Sequence, residues 1–537
     1  MAHAWLSLVP PFITLAAALI TKRIGPSLVL GITISALIYF KFSIKHAFLF
    51  STARIWANSQ LGDLLTWSGN FSTLYTFAFL FIIGIIVVLI NTTGGAQAYA
   101  EKVSGYISDK RSVETSSILL SLSLFLDDYL NCLTMGCAMK PLTDKAGIAR
   151  AKLAYLIDSM AAPWIIIVPF SSWVAVICKI LQSANISETT QNAIIIANPY
   201  YVYLCLIPYV FYSFITIALV LIIVRNRLSF GPMYTHEKIA QETGNLLGGK
   251  HTPNTKLTMC NIQKTPSILE FLLPIGSLLL FCIFGLLYSG GFVFFGGTHG
   301  LFKAIQEANA YIVMFWSSVA SLIIGITFSL ARSNLSLSSL LTIIPKGLHL
   351  MLYPNLILLF AWTFSDLLTN YLHTGEYLAY LISNSISFKL LPVILYILTS
   401  LISISLGSAW STMMIITPLA VPIVVAYTAI TPPVSLASVP MLLPTLGAIL
   451  SGAATGDHIS PVASTTIMAA TSSGSIVIDH VKTQFMYALP AIVATTVAFL
   501  VVGLAIDLHP LIDYILALGS GFGTLGILLV ILNKLKK

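Results

Sequence analysis

The chain has 537 residues, of which 57% are hydrophobic and only 9% charged, whereas an ordinary soluble domain carries about 25% charged residues. So few charges cannot cover a water-soluble surface, which excludes a soluble globular enzyme or binding module. The formal net charge of +8 does not point to nucleic acid, because the basic residues sit in loops between apolar runs, as the positive-inside bias of a membrane protein requires.

The first apolar run, residues 5–21, is followed by Lys22 and Arg23 rather than by a small-residue cleavage site. A retained helix is expected there. Further runs at residues 72–90, 201–224, 311–330 and 487–506 are near or above the length that crosses a hydrocarbon core. They are solidly apolar instead of alternating, which argues against a closed barrel. With no water in the bilayer core, backbone groups must pair within each segment, so helices remain. The expected fold is an all-α polytopic membrane protein with about 10–13 transmembrane helices, including broken helices or re-entrant hairpins. Five of the six cysteines (Cys132, Cys137, Cys178, Cys205, Cys260 and Cys282) lie in apolar or motif segments. That is buried-thiol usage, not a disulfide framework.

Residues 225–266 form the one long polar stretch and divide the chain into a first membrane half, residues 1–224, and a second, residues 267–537. Six basic residues (Arg225, Arg227, Lys238, Lys250, Lys256, Lys264) face two acidic ones (Glu237, Glu242) in this stretch. A cytoplasmic loop is expected, and Lys534, Lys536 and Lys537 suggest the same side for the C-terminus.

Each half carries one region where Asp, Asn, Ser, Thr, Gly and Pro interrupt the hydrophobicity: residues 127–173 and residues 407–483. Asn131 precedes Pro141-Leu142 at the spacing by which Ser408 precedes Pro418-Leu419, and each region then presents an Asp shortly before a Pro (Asp158 and Pro163; Asp457 and Pro461). Interrupted segments in corresponding positions of two halves mark the ion site of inverted-repeat transporters, because unwound backbone offers carbonyls and half-helix ends at the midplane. Two inverted repeats are therefore expected.

In the first region Asp128 and Asn131 lie three apart and share a helix face, while Asp127 points elsewhere. Asp158 sits inside an apolar stretch, where an unpaired carboxylate costs roughly 2.5–3.5 kcal/mol on insertion scales, and a bound ion or proton would explain its presence. The competing reading pairs Asp128 and Asp158 with Lys140, Arg150 or Lys152 in a structural network. Ser171 and Ser172 serve either helix packing or cation binding. In the second region small residues surround Asp457, Pro461 stops a regular helix, and the hydroxyls of Ser408, Thr412, Ser460 and Thr465 are hard oxygen ligands suited to Na⁺. His458 is either a satisfied buried histidine or a group that titrates near neutral pH. Asp479, His480, Lys482 and Thr483 mark either part of the site or the interfacial end of the next span. Asp366 is either an intramembrane candidate or the start of a loop.

Two motifs fail on inspection. Gly244 to Lys250 has the spacing of a phosphate-binding loop, but His251 replaces the required Ser or Thr. His236-Glu237 begins a zinc-protease pattern whose second His is Ala240. With no nucleophile or metal set beside Asp457-His458, an intramembrane enzyme is not expected, and paired broken helices fit alternating access better than a channel.

These motifs together resemble the NhaC-type sodium/proton antiporter family of the ion-transporter superfamily. The resemblance rests on Asp127-Asp128-Tyr129-Leu130-Asn131, Lys140-Pro141-Leu142-Thr143-Asp144, Lys152-Leu153-Ala154-Tyr155, Ile157-Asp158-Ser159 and Ser171-Ser172-Trp173. In the second half it rests on Gly407-Ser408-Ala409-Trp410-Ser411-Thr412, Gly456-Asp457-His458, Ser460-Pro461, Thr465-Thr466 and His480-Val481-Lys482-Thr483-Gln484. The acid that the family usually carries before its Thr-Thr pair is Ser464 here. The resemblance implies a multi-pass secondary transporter of a bacterial inner membrane, a homodimer, exchanging Na⁺ for H⁺ by alternating access with no cofactor. Asp158 and Asp457 would be shared by Na⁺ and H⁺, with Asp128, Asn131, Ser159, Ser408, Thr412, His458, Ser460 and Thr465 around them. The alternative it leaves open is a Na⁺- or H⁺-coupled carrier or exchanger of a small organic anion or amino acid, for which Lys140, Lys179 and Trp410 would be contacts.

Overall fold

The computed structural model describes residues 4–21, 23–66, 71–95, 98, 102, 109–188, 193–250, 266–332, 335–383, 387–428 and 430–534. Lys22, His251, Lys256, Cys260, Lys264, Lys536 and Lys537 lie outside the described residues, as does the side chain of Cys137. Nearly all ordered elements are helices. Among the described residues nine helices are long and apolar enough to cross a membrane, and Trp5–Ala18, Ile24–Tyr39 and Ser172–Ser183 are shorter apolar ones. The chain is a multi-pass integral membrane protein. Cys132, Cys178, Cys205 and Cys282 are free thiols.

In chain order the helices are α1 (Val9–Thr21), α2 (Ile24–Tyr39), α3 (Ile44–Ser59), α4 (Leu61–Thr66), α5 (Ser72–Thr93), α6 (Lys110–Ser123), α7 (Asp128–Lys145), α8 (Arg150–Met160), α9 (Ala162–Ile165), α10 (Ser172–Ser183), α11 (Pro199–Leu206), α12 (Phe211–Asn226) and α13 (Gly231–Thr243). The second half holds α14 (Leu269–Ser289), α15 (Leu301–Gln306), α16 (Ala310–Ala331), α17 (Leu337–Asp366), α18 (Thr374–Ser383), α19 (Leu391–Leu406), α20 (Ala409–Ala426), α21 (Leu442–Ile459), α22 (Ser464–Ser473), α23 (Val477–Leu504) and α24 (Pro510–Lys534). Three two-residue strands, β1 (Ile186–Ser187), β2 (Ile195–Ile196) and β3 (Val434–Ser435), make a parallel sheet in that order, with Ile195 opposite both Ile186 and Val434.

Three expectations change. The apolar run at residues 201–224 is not one span: it breaks at a 3₁₀ turn, Ile207–Tyr209, where Pro208 has no amide hydrogen to continue the helix. The span expected at residues 487–506 is the latter part of α23, which begins at Val477 and so draws Asp479, His480 and Gln484 into a membrane helix. The polar stretch at residues 225–266 contains α13, with Pro232 in its first turn and Gly244 (φ 71°) ending it in the left-handed conformation that glycine adopts without strain.

The two interrupted regions share one succession of elements, a hairpin followed by a broken helix. In the first half α6 and α7 form the hairpin, and α8 breaks at Ala161 before continuing through α9 to α10. In the second half α19 and α20 form the hairpin, and α21 breaks at residues 460–463 before α22. The far ends of α7, α8 and α22 meet at one end of the molecule. There the Arg150 guanidinium reaches the Gly474 carbonyl at 3.4 Å, and its amide bonds the Leu246 carbonyl at 3.0 Å. The far ends of α10 and α20 meet at the opposite end, where β2 bridges the strands that follow each of them. The hairpins thus open towards opposite ends, and their tips meet between.

Helix α13 caps the first end through ion pairs. Fully buried Lys152 of α8 donates to Glu237 at 3.0 Å and lies 5.5 Å from the Tyr487 ring, while Lys250 pairs with Asp479 at 2.6 Å. The loop whose charge composition marked it as cytoplasmic is therefore tied directly to the two helices, α8 and α23, that carry buried polar residues.

Close helix approach in the second half depends on Gly452 and Gly456, one turn apart on α21. A Cβ at Gly456 would meet the Ser400 carbonyl oxygen and Ser403 Cβ of α19 at 2.4 Å, and one at Gly452 the Tyr396 carbonyl oxygen at 2.6 Å. Small residues at this spacing let membrane helices touch backbone to backbone. Gly456→Leu should therefore cost about 1–3 kcal/mol or more by overpacking and sharply reduce the monodisperse fraction in fluorescence size-exclusion chromatography. Gly519→Leu in α24, where a Cβ meets nothing within 4 Å, should leave that fraction unchanged.

Candidate ion-binding site

Both hairpin tips end at helix breaks, and side chains satisfy the backbone groups freed there. Asp127 caps α7: its Oδ1 accepts from the amides of Tyr129 and Leu130 at 3.0 and 3.2 Å, and its Oδ2 from the Ser172 hydroxyl at 2.8 Å. The Ser172 amide in turn donates to the Leu126 carbonyl at 2.9 Å. Hairpin tip and helix break are thereby joined. In the second half Ser408 caps α20, accepting from the Ser411 amide at 3.3 Å, after Gly407 turns the chain at φ +63°. A Cβ on Gly407 would meet the Val462 carbonyl carbon at 2.8 Å and the Ala463 amide nitrogen at 2.9 Å, so this tip also rests on the break of its own broken helix.

Between the tips lies a cavity of about 240 Å³ whose lining includes Asp128, Tyr129, Trp173, Ser408, Trp410, Ser411, Asp457, Ser464 and Thr465. Asp457 and Asp128 are buried. The Asp457 carboxylate accepts from the Thr465 hydroxyl at 3.0 Å and faces the Ala409 amide in the first turn of α20, where the positive end of the helix dipole favours an anion. Asp128 accepts from the Tyr129 amide at 3.1 Å. Tyr129 Oη and Ser464 Oγ, 3.1 Å apart, close one side of the cavity. The Trp173 and Trp410 rings meet edge to face at 5.9 Å, and neither indole N–H has a partner.

A second buried cluster lies behind Asp457 on the same helix end. His458, the next residue, contacts the Ser159 hydroxyl through Nε2 at 3.0 Å and the Tyr212 hydroxyl through Nδ1 at 2.7 Å. Asp158 accepts from Gln484 Nε2 at 2.5 Å and faces His480 Nε2 at 3.3 Å, both from α23. Gln484 Nε2 also bonds the His458 carbonyl. Gln484 Oε1 and His480 Nδ1 are buried without a partner.

The structure separates the residues singled out in the sequence into three groups. Asp128, Ser408, Asp457 and Thr465 share the cavity, and Asp158, Ser159 and His458 share the second cluster. Asn131, Thr412 and Ser460 instead hold helix ends together: Asn131 accepts from the Ser121 hydroxyl at 2.8 Å and donates to the Ser121 carbonyl, Thr412 donates to the Ser408 carbonyl at 2.8 Å, and Ser460 to the Ile404 carbonyl at 2.6 Å. Pairing of Asp128 or Asp158 with Lys140, Arg150 or Lys152 does not occur among the described residues. Arg150 is taken by Asp144 at 3.1 Å and Lys152 by Glu237. Asp366 is not a free carboxylate either, since Arg54 pairs with it at 2.7 Å. Ser171 and Ser172 serve packing, donating to the Ile165 carbonyl and to Asp127.

Tyr212 carries no signal in the sequence, Gln484 stands there only within the family motif, and His480 is left between the site and the end of a span. The four-residue spacing of His480 and Gln484 puts both on one helix face, a signal that becomes readable only once α23 is known to begin at Val477. Among the described residues no group of three or more His, Cys, Asp or Glu side chains could hold a metal ion. What the geometry offers is buried carboxylates beside hydroxyls and imidazoles, suited to a monovalent cation or a proton that comes and goes.

Comparison with known proteins fits this arrangement. The chain is 29% identical over 513 residues to an uncharacterized protein of Haemophilus influenzae, covering 93% of this chain and 90% of that one. A 57-residue stretch, 11% of this chain and 12% of the relative, is 44% identical to the malate-2H⁺/Na⁺-lactate antiporter of Bacillus subtilis. The fold is similar to that of the YdaH transporter of Alcanivorax borkumensis, with a TM-score of 0.52 at 13% identity over 83% of this chain and 90% of that one. The model of the Na⁺/H⁺ antiporter family matches residues 164–504, more than half of the chain and the whole second interrupted region, and the chain belongs to that family of secondary transporters.

Proposed function

We propose that the chain exchanges Na⁺ for H⁺ by alternating access, with Na⁺ held in the cavity of Asp457 and Asp128 and the proton handled by the Asp158 cluster behind it. The observation that carries this reading is the burial of Asp457 and Asp128 in one cavity, beside the hydroxyls of Ser408, Ser411 and Thr465, with no basic side chain paired to either among the described residues. Two uncompensated carboxylates in a low-dielectric interior are costly unless a cation or proton neutralises them. The cavity offers carboxylate and hydroxyl oxygens, the donor set that hard cations prefer. The second cluster offers His458, His480, Gln484, Ser159 and Tyr212 around Asp158, a set built to pass or hold a proton.

The coupling follows from consecutive positions on one helix end. Asp457 faces the cavity while His458 faces Asp158, so occupancy on one side is felt on the other through the last turn of α21. The opposed hairpins support two inverted repeats, in which one tip and then the other would open the site to its own side. A bacterial inner membrane and a homodimeric assembly complete the proposal.

Proteoliposome flux read with a proton-sensitive dye tests it. Asp457→Asn and Asp158→Asn, each folded by size-exclusion chromatography, should lower Na⁺-dependent proton flux at least tenfold, the effect of losing about 1.4 kcal/mol of ion binding or more. Wild-type flux in both variants would overturn the assignment. Asn131→Ala, which removes a hairpin bridge and no ion ligand, should lower stability more than it lowers flux per folded molecule.

A second reading, coupled transport of a small organic anion or amino acid, is favoured by a cavity larger than one cation needs, and by the short match to a malate and lactate antiporter. The two readings separate cleanly. Under the first, added Na⁺ alone moves protons; under the second, proton movement waits for an organic substrate, and a counterflow panel of small carboxylates and amino acids identifies it.

A further inference from the structure

Lys179, on α10 two turns beyond Ser172, is a basic side chain with which no acid pairs among the described residues. Its Nζ donates to the Ser72 hydroxyl at 3.0 Å and to Gln182 Oε1 at 2.8 Å, and lies 5.5 Å from the centre of the Trp362 ring. All three are neutral groups, and two acceptors leave one of the three ammonium hydrogens unused. Lys179 lines a separate cavity of about 210 Å³ with Asn58, Gln60, Gln182, Asp366 and Asn370. The one acid in that lining is already neutralised: Asp366 accepts from Arg54 Nη2 at 2.7 Å and Nε at 2.9 Å, from Asn370 at 2.9 Å and from Asn58 at 3.3 Å.

With Lys179 protonated, the pocket carries one positive unit in excess of the Arg54–Asp366 pair, with amide groups around it. Gln60 is held by its oxygen, which accepts the Thr73 amide at 2.8 Å, so its NH₂ remains as a donor. The pocket adjoins the larger cavity of about 620 Å³ beside the small sheet, sharing Asn185 and Asn370 with it, at the end of the molecule opposite the basic loop. An ammonium taken out of bulk water without a counter-charge is costly, and an anion beside it removes most of that cost.

We propose that this pocket binds a small monovalent anion, a halide or a short monocarboxylate, against Lys179 Nζ with Gln60 as second donor. It is distinct from the cavity of Asp457 and does not depend on which ion that cavity carries. The pocket is large enough for several water-sized groups, so an acetate-sized ligand fits as readily as chloride. The two sources share their chemistry and differ in consequence: a halide would be a fixed counter-ion of the scaffold, a carboxylate a ligand captured from the solution on that side.

Thermal unfolding of the purified protein in nanodiscs, in gluconate with increasing chloride or acetate, tests the proposal. Wild type should gain several degrees in Tm with at least one of the two anions, because a ligand that binds only the folded state stabilises it in proportion to the logarithm of its concentration. Lys179→Met should lose the gain, Gln60→Leu should need a higher concentration for it, and Lys238→Met, an exposed change on α13, should keep it. A gain with chloride alone identifies the halide, and a gain with acetate alone the carboxylate. No gain with either anion, or an equal gain in Lys179→Met, overturns the proposal. Should Lys179→Met not fold, wild-type crystals soaked in bromide or in bromoacetate, read by anomalous scattering, decide: a bromine peak beside Lys179 Nζ with either supports the site, and its absence with both overturns it.

Discussion

A helix that ends inside a bilayer must still satisfy its last amides and carbonyls, because lipid offers no partners for them. The fold is organised around that requirement. Asp127 is its clearest expression: one carboxylate caps α7 through two amides and holds the Ser172 hydroxyl across the break of the neighbouring helix. Ser408, Gly407 and Ser460 meet the same need in the second half with a hydroxyl cap, a left-handed turn and a bond to the Ile404 carbonyl. Remove these partners and the half-helices have no reason to stop where they do.

Once the breaks are fixed, the remaining carboxylates acquire a role by contrast. Asp127 has its oxygens engaged by protein donors and is structural; Asp128 and Asp457 have few donors and no basic partner among the described residues. Asp158 is intermediate, engaged by Gln484 and facing His480, with Gln484 Oε1 and His480 Nδ1 beside it still unpartnered. The alternation of Asp457 and His458 on α21 then separates the cavity beside Asp457 from the packed cluster of Asp158, His480 and Gln484.

The rest of the molecule holds the cavity and the cluster and controls what surrounds them. Gly452 and Gly456 allow α21 to lie against α19 at backbone distance, so the tip of the second hairpin can reach the break. At one end the basic loop is joined to α8 through Glu237 of α13 and to α23 through Lys250, which follows α13, so a movement of either helix is mechanically linked to that surface. At the other end a three-strand sheet ties the segments that follow α10 and α20, near the pocket of Lys179.

Much of this was legible in the residues alone. The scarcity of charge required a membrane protein, unbroken apolar runs required helices, and the two polar interruptions placed Asp128, Asp158 and Asp457 in the interior, because each of those inferences depends only on composition and local order along the chain. The motif resemblance anticipated the family. Tertiary structure alone decided who meets whom: that Asp158 is held by Gln484, 326 positions away, that His458 is held by Tyr212, and that Asn131, Thr412 and Ser460 bond the backbone or side chains of helix ends. Hydrogen bonds between distant segments depend on how helices cross, and a one-dimensional pattern of hydrophobicity specifies which face of a helix is buried without specifying what it is buried against.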